Sequence, residues 1–183
     1  MTRLIVWIFG GLLLGGLIHV VVILTLPNLA TRDVWSQIAA LNTHENMTAI
    51  AAPEPGEANP LGLDPALLYG ICQLDLDEGP GVVNGTLPLS FWSVAVFDRQ
   101  GQIVYSTTNR SGSGTGRALD MGIFNPAQMR LLAEQRFEIE EGLLIVEAPS
   151  DDVMVVIRLA PAHAAMRARY RDMLNDLRCL TIR

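Results

Sequence analysis

Few residues in this 183-residue chain have the type and spacing that chemistry needs. The richest run is Ser111-Gly112-Ser113-Gly114-Thr115-Gly116-Arg117. Successive backbone N–H groups of such a run can form an anion nest, and Arg117 would clamp a carboxylate or phosphate. The Gly-Lys-Ser/Thr ending of a P-loop is missing, and the helix that follows starts too late for a dinucleotide fingerprint. Gly112, Gly114, Gly116 and Arg117 therefore stand as a speculative anion-binding loop, with a plain connecting loop as the competing reading. Asp75, Asp77 and Glu78 bring oxygen donors together before Gly79, but EF-hand spacing and its distal glutamate are absent. Asp75 and Asp77 alternate along one side of a strand, as solvated residues do. His19, His44 and His163 are scattered without ligand spacing, and no serine sits in a Gly-x-Ser-x-Gly elbow. The residues point to no catalytic group, metal or cofactor, and the expectation is that the protein is not an enzyme.

Two cysteines, Cys72 and Cys179, are far apart and fit neither a zinc motif nor a C-x-x-C redox pair. In an oxidising compartment they are a candidate disulfide. The alternative is two free thiols, with Cys72 a buried apolar residue and Cys179 a terminal one.

The compartment follows from the N-terminus. Leu4 to Leu26 is a run of 23 residues without a formal charge, opened by Arg3 and closed by Pro27. As a helix it would cover about 34 Å, enough for a hydrocarbon core of about 30 Å. It exceeds a signal-peptide apolar region of roughly 7–15 residues, and Asn28-Leu29-Ala30 is a poor cleavage site, so a retained anchor is expected over a removed leader. Arg3 and the amino terminus form the positive flank, which keeps the N-terminus in the cytoplasm and puts the rest of the chain in the periplasm. Within the run Gly11, Gly15 and His19 recur every fourth residue. The glycines allow close helix packing, and an imidazole on that face is better satisfied by a partner than by lipid.

Beyond Leu26, twelve arginines face nineteen carboxylates, about −7, which argues against nucleic acid as a partner. Lysine is absent. Thr31 to Asn42 carries Val34, Trp35, Ile38 and Leu41 at helical spacing, a juxtamembrane helix. AAPEPGEANP over 51–60 reads as linker. The expected organisation is an anchor over 1–30, a juxtamembrane helix and linker over 31–60, and an extracytoplasmic β-rich domain over 61–183. In that domain Leu68 to Asp77 alternates as a half-buried strand with Cys72 inward. Leu87 to Phe97 reads as a central strand, turned by Asp98-Arg99-Gln100-Gly101 into Ile103 to Thr107. Arg136 to Glu140 alternates, Gly142 breaks the run, and Leu143 to Ala148 turns through Pro149-Ser150-Asp151-Asp152 into a hairpin with Val153 to Leu159. Asn125 and Pro126 start one helix, with Asn125 as its N-cap. A terminal helix after Pro161 puts Met166, Tyr170, Met173, Leu174, Leu177 and Leu180 on one stripe. The fold class is α+β, a transmembrane helix followed by antiparallel sheet with peripheral helices.

The stretch Leu63-Asp64-Pro65-Ala66-Leu67-Leu68-Tyr69-Gly70-Ile71-Cys72-Gln73-Leu74-Asp75-Leu76, with Gly79-Pro80, Trp92-Ser93, Asp98-Arg99-Gln100-Gly101, Tyr105-Ser106 and Asn109-Arg110, resembles the bacterial family called domain of unknown function 1254 (DUF1254). The likeness runs from about Leu61 to Asn125, and the anchor is similar to that of small membrane-bound members from alphaproteobacteria. The resemblance implies a β-rich exported domain and a membrane-bound companion of the DUF1214 type; it implies no reaction. Together these readings lead to a single-pass inner-membrane protein whose periplasmic domain serves as an accessory or interaction subunit. A periplasmic small-molecule or lipid-binding module is the alternative.

Overall fold

The computed structural model of the chain describes residues 2–29, 34–50, 53–54, 56–110, 118–134 and 142–183. They divide into two compact units, Met1–Gln37 and Ile38–Arg183.

The first unit is dominated by α1 (Thr2–Leu29). Its stretch Thr2–Leu26 is long and apolar enough to cross a membrane, with mean hydropathy 2.4 and no part of its most apolar window buried in the protein. Thr25, the polar residue near its end, turns its hydroxyl onto the carbonyls of Val21 (2.9 Å) and Val22 (3.2 Å), which removes an unsatisfied donor from the apolar surface. The helix expected over Thr31 to Asn42 is α2 (Val34–Ala39), which ends three residues short of Asn42. Leu41 and Asn42 donate to the carbonyls of Ile38 and Ala39 in a tightened last turn, and Asn42 ends it in the left-handed region at φ 59°.

The second unit holds two sheets. The first has the order β1-β2-β8-β4-β5, formed by β1 (Thr48–Ile50), β2 (Leu68–Asp75), β8 (Asp152–Leu159), β4 (Trp92–Asp98) and β5 (Ile103–Thr108), all antiparallel. The second has the order β7-β6-β3-β9, formed by β7 (Leu144–Glu147), β6 (Ala118–Phe124), β3 (Gly81–Thr86) and β9 (Arg178–Thr181). Among the described strands, β6 and β7 are the one parallel pair. Two helices, α3 (Pro126–Glu134) and α4 (Arg167–Asn175), complete the α+β fold. Cys72, Leu74, Val94, Val96, Val153, Val155 and Ile157 of the first sheet share one buried cluster with Val83, Met121, Ile123, Val146 and Cys179 of the second. Period-2 alternation produces that inner face: Cys72 pairs Val155, and Val96 pairs Val155 from the other side.

The Asp98–Gly101 turn and the α3 start form as the sequence predicts. Asp98 accepts from the Gln102 N–H (2.8 Å) and Gly101 takes φ 79°. Asn125 accepts from the Gln128 N–H while the Gln128 side chain accepts from the Asn125 N–H, both at 2.9 Å, a reciprocal capping box.

Four expectations need correction. β2 is buried on both faces, not half-buried: Gln73 is 4% exposed, its side-chain amide 3.0 Å from the Thr43 hydroxyl. The reason lies upstream, where residues 43–45 run beside β2 and exchange backbone bonds with Gln73. The folded part therefore starts well before Leu61, and β1 falls just ahead of the expected linker, within the 31–60 stretch expected to hold only a juxtamembrane helix and linker. The Leu143–Ala148 and Val153–Leu159 strands are not a hairpin, since β7 joins β6 in one sheet and β8 sits between β2 and β4 in the other. The terminal helix stops at Asn175, and Arg178–Thr181 is a strand. Apolar residues at 174, 177 and 180 suit a helix, but Asn175-Asp176 favours an ending, and burial of Cys179 and Thr181 alone follows the strand period. The strand expected over 136–140 lies outside the described residues.

Cys72 and Cys179 are bonded, with their Cα atoms 6.6 Å apart across 107 positions of sequence. The bridge links β2 of one sheet to β9 of the other. Replacing both cysteines by alanine should cost about 2–4 kcal/mol of unfolding free energy, the usual range for such a loop. Urea unfolding followed by circular dichroism checks this; an unchanged midpoint would mean that packing alone joins the sheets.

Candidate functional site

Three places hold the candidate residues. On α1, Gly11, Gly15 and His19 lie along one side, and a Cβ added at Gly10, Gly11, Gly15 or Gly16 would meet nothing within 4 Å. The described side chains of this helix are exposed throughout, including Leu4, Trp7, Phe9, Leu13 and Leu17. An apolar surface of this size suits a membrane anchor or a signal sequence.

The second place is the turn between β2 and β3. The Asp75 carboxylate accepts from the Asp77 N–H at 2.9 Å, so this acidic run closes a turn. Among the described residues, no group of three or more His, Cys, Asp and Glu side chains could hold a metal ion. Glu78 instead accepts from Nε of Arg183 at 2.6 Å and from its terminal guanidinium nitrogen, which also lies 3.3 Å from Glu45. The hydrogen bond to Glu78, then the charge of Glu45, hold the Arg183 guanidinium above its ordinary range, so it stays charged wherever the protein is folded. Gly79 has φ 153°, and a Cβ there would run into the Ile182 carbonyl. The C-terminal segment is thus fastened onto this turn, Ile182 also donating to the Pro80 carbonyl at 2.9 Å.

The third place, the loop Gly112, Gly114, Gly116 and Arg117, lies outside the described residues. His44 bridges to Gln73 at the sheet margin, and His163 stands exposed before a short helical turn, Ala164–Met166. The three histidines are not brought together. Sequence reasoning missed Arg110, whose guanidinium lies 5.8 Å from the ring centre of Phe91, beside the exposed Leu89. It also missed Arg99, which pairs with Asp152 at 2.8 Å and ties the β4–β5 turn to β8. Nothing in their spacing marks either contact, because the partners are distant in sequence.

An apolar, membrane-length helix ahead of a disulfide-bonded, two-sheet domain defines the class of protein. The chain belongs to the family described as protein of unknown function (DUF1254), whose model matches residues 41–179. That match lies wholly inside the second unit, starting three residues after it begins. No curated protein matches the chain. The crystal structure of the VPA0106 protein from Vibrio parahaemolyticus is similar at 14% identity and TM-score 0.49, over 66% of this chain and 29% of that one. A crystal structure of an uncharacterised protein from Burkholderia cenocepacia is similar at 10% identity and TM-score 0.43, over 84% of this chain and 38% of that one. The chain thus spans less than two fifths of the length of either.

If the glycine side of α1 accepts another helix, Gly11→Leu with Gly15→Leu fills the groove while leaving the span apolar. The double variant should reach the membrane at the level of the parent and lose most of whatever protein copurifies with it in mild detergent. Unchanged recovery would leave recognition to the domain alone.

Proposed function

We propose that the chain is a single-pass protein of the bacterial inner membrane, with its N-terminus in the cytoplasm and its Ile38–Arg183 domain in the periplasm. In this reading it has no reaction of its own and acts as an accessory or interaction subunit of a membrane or envelope complex. The observation that carries the reading is α1, an exposed apolar span that precedes a folded domain in the sequence. The Cys72–Cys179 bond supports the periplasmic side, since disulfides persist where thiols are not kept reduced. Gly11 and Gly15 support a protein partner inside the bilayer. A DUF1214-type membrane companion is the partner that the family resemblance suggests.

Two measurements test this. A reporter active only in the periplasm, fused after Arg183, should be active, and activity from a cytoplasm-only reporter would reverse the orientation. Affinity purification from native membranes should yield a second protein. Recovery of lipid or a small molecule with no protein would favour the alternative, a periplasmic binding module.

A further inference from the structure

An edge strand presents unpaired backbone groups, and proteins shield such edges unless they use them. Among the described residues, three of the four sheet edges are shielded or blunted. β1 has three residues, and its Ala49 N–H donates to Oδ1 of Asn175 at 2.8 Å. β7 has four residues and carries Glu147; β9 has four and carries Arg178. β5 is different. Its six residues, Ile103-Val104-Tyr105-Ser106-Thr107-Thr108, include no charge and no proline, and five of them are β-branched or aromatic. Ile103 is 62% exposed.

The direction of its backbone groups can be read from the ladder. Asn109 donates its N–H to the Trp92 carbonyl at 3.2 Å, and the register is Val94↔Thr107, Ala95↔Ser106 and Val96↔Tyr105. Antiparallel pairs alternate, so Tyr105 and Thr107 aim their N–H and C=O groups at β4 while those of Ser106 point away from the sheet.

We propose that β5 is a pairing edge for a second copy of this chain, the two strands running antiparallel about a two-fold axis so that the five-stranded sheets become continuous. Self-pairing about a two-fold needs a single strand, since each copy supplies both donors and acceptors. Charge favours this partner too. The chain is net −6, and a neutral strip is where two copies can approach without like-charge repulsion. The inference deepens the interaction reading above by naming a partner. Its one dependence on the membrane is that tethered copies meet at raised effective concentration.

The test uses the full chain in its own cells, with photoreactive benzoylphenylalanine in place of Ile103. Irradiation should give an adduct of twice 19.9 kDa that contains peptides of this chain only. Ser106→Pro removes an outward N–H while leaving the bonds to β4, and should reduce that adduct at least tenfold. Survival of an intact Ile38–Arg183 domain under added protease reports that the variant still folds; if it does not, Ser106→Glu, which sets like charges beside the two-fold axis, should give the same loss. No adduct, an adduct with a different protein only, or an adduct insensitive to a folded Ser106 variant would overturn the proposal. The second of these leaves the interaction reading standing. Recovery of the chain in the soluble fraction would count against the membrane reading alone, since the adduct is read in whichever fraction holds the chain.

Discussion

The bond between Cys72 and Cys179 is the constraint on which the rest of the domain depends, because it joins the two sheets at their buried faces. β2 is the second strand of one sheet, and β9 is the edge of the other. Fixing β9 there sets β3 beside it, through pairs such as Val83↔Cys179, and β3 in turn carries β6. The chain end then folds back on the β2–β3 turn, where Gly79 leaves room for Ile182 and Arg183 reaches Glu78 and Glu45. The surface ion pair adds little to stability by itself. Its place at the margin of a cross-linked region means that it holds a segment already confined by the bridge.

Local signals in the sequence identified what local forces control. The apolar span, the Asp98–Gly101 turn and the Asn125 cap each depend on residues within a few positions, and each forms as the residue types imply. Pairing of Cys72 with Cys179 was readable only as one of two alternatives, since sequence spacing cannot say which faces meet. Partner choice in the sheets was not readable at all. β7 and β8 are separated by a turn that would suit a hairpin, yet they leave for different sheets, β8 being buried on both faces from Val153 to Ile157 as a central strand between β2 and β4. Gln73 and Asp75 looked like the wet side of a strand; residues 43–45, which lie between the expected juxtamembrane helix and the 51–60 linker, run beside that strand and bond to Gln73. The same limit hid β9 inside an apparent helical stripe.

The candidate sites divide in the same way. Gly11, Gly15 and His19 were readable because a helix converts spacing directly into a face. The acidic run at Asp75 and Asp77 resolves into turn geometry, and the family to which the chain belongs brings no reaction with it. What the fold does offer is surface: an apolar helix with an open glycine side, and an uncharged sheet edge at β5.

In the proposed function α1 is retained as an anchor and the domain behind it matures in an oxidising compartment. One intact-mass measurement tests both. The chain is taken from separated membrane and soluble fractions, unfolded without reductant, and treated with an alkylating reagent before weighing. The account predicts the full 19.9 kDa chain in the membrane fraction with no alkyl group added, because both sulfurs are in the bridge. A soluble product shortened by the length of α1, or a full chain carrying two alkyl groups, would contradict it.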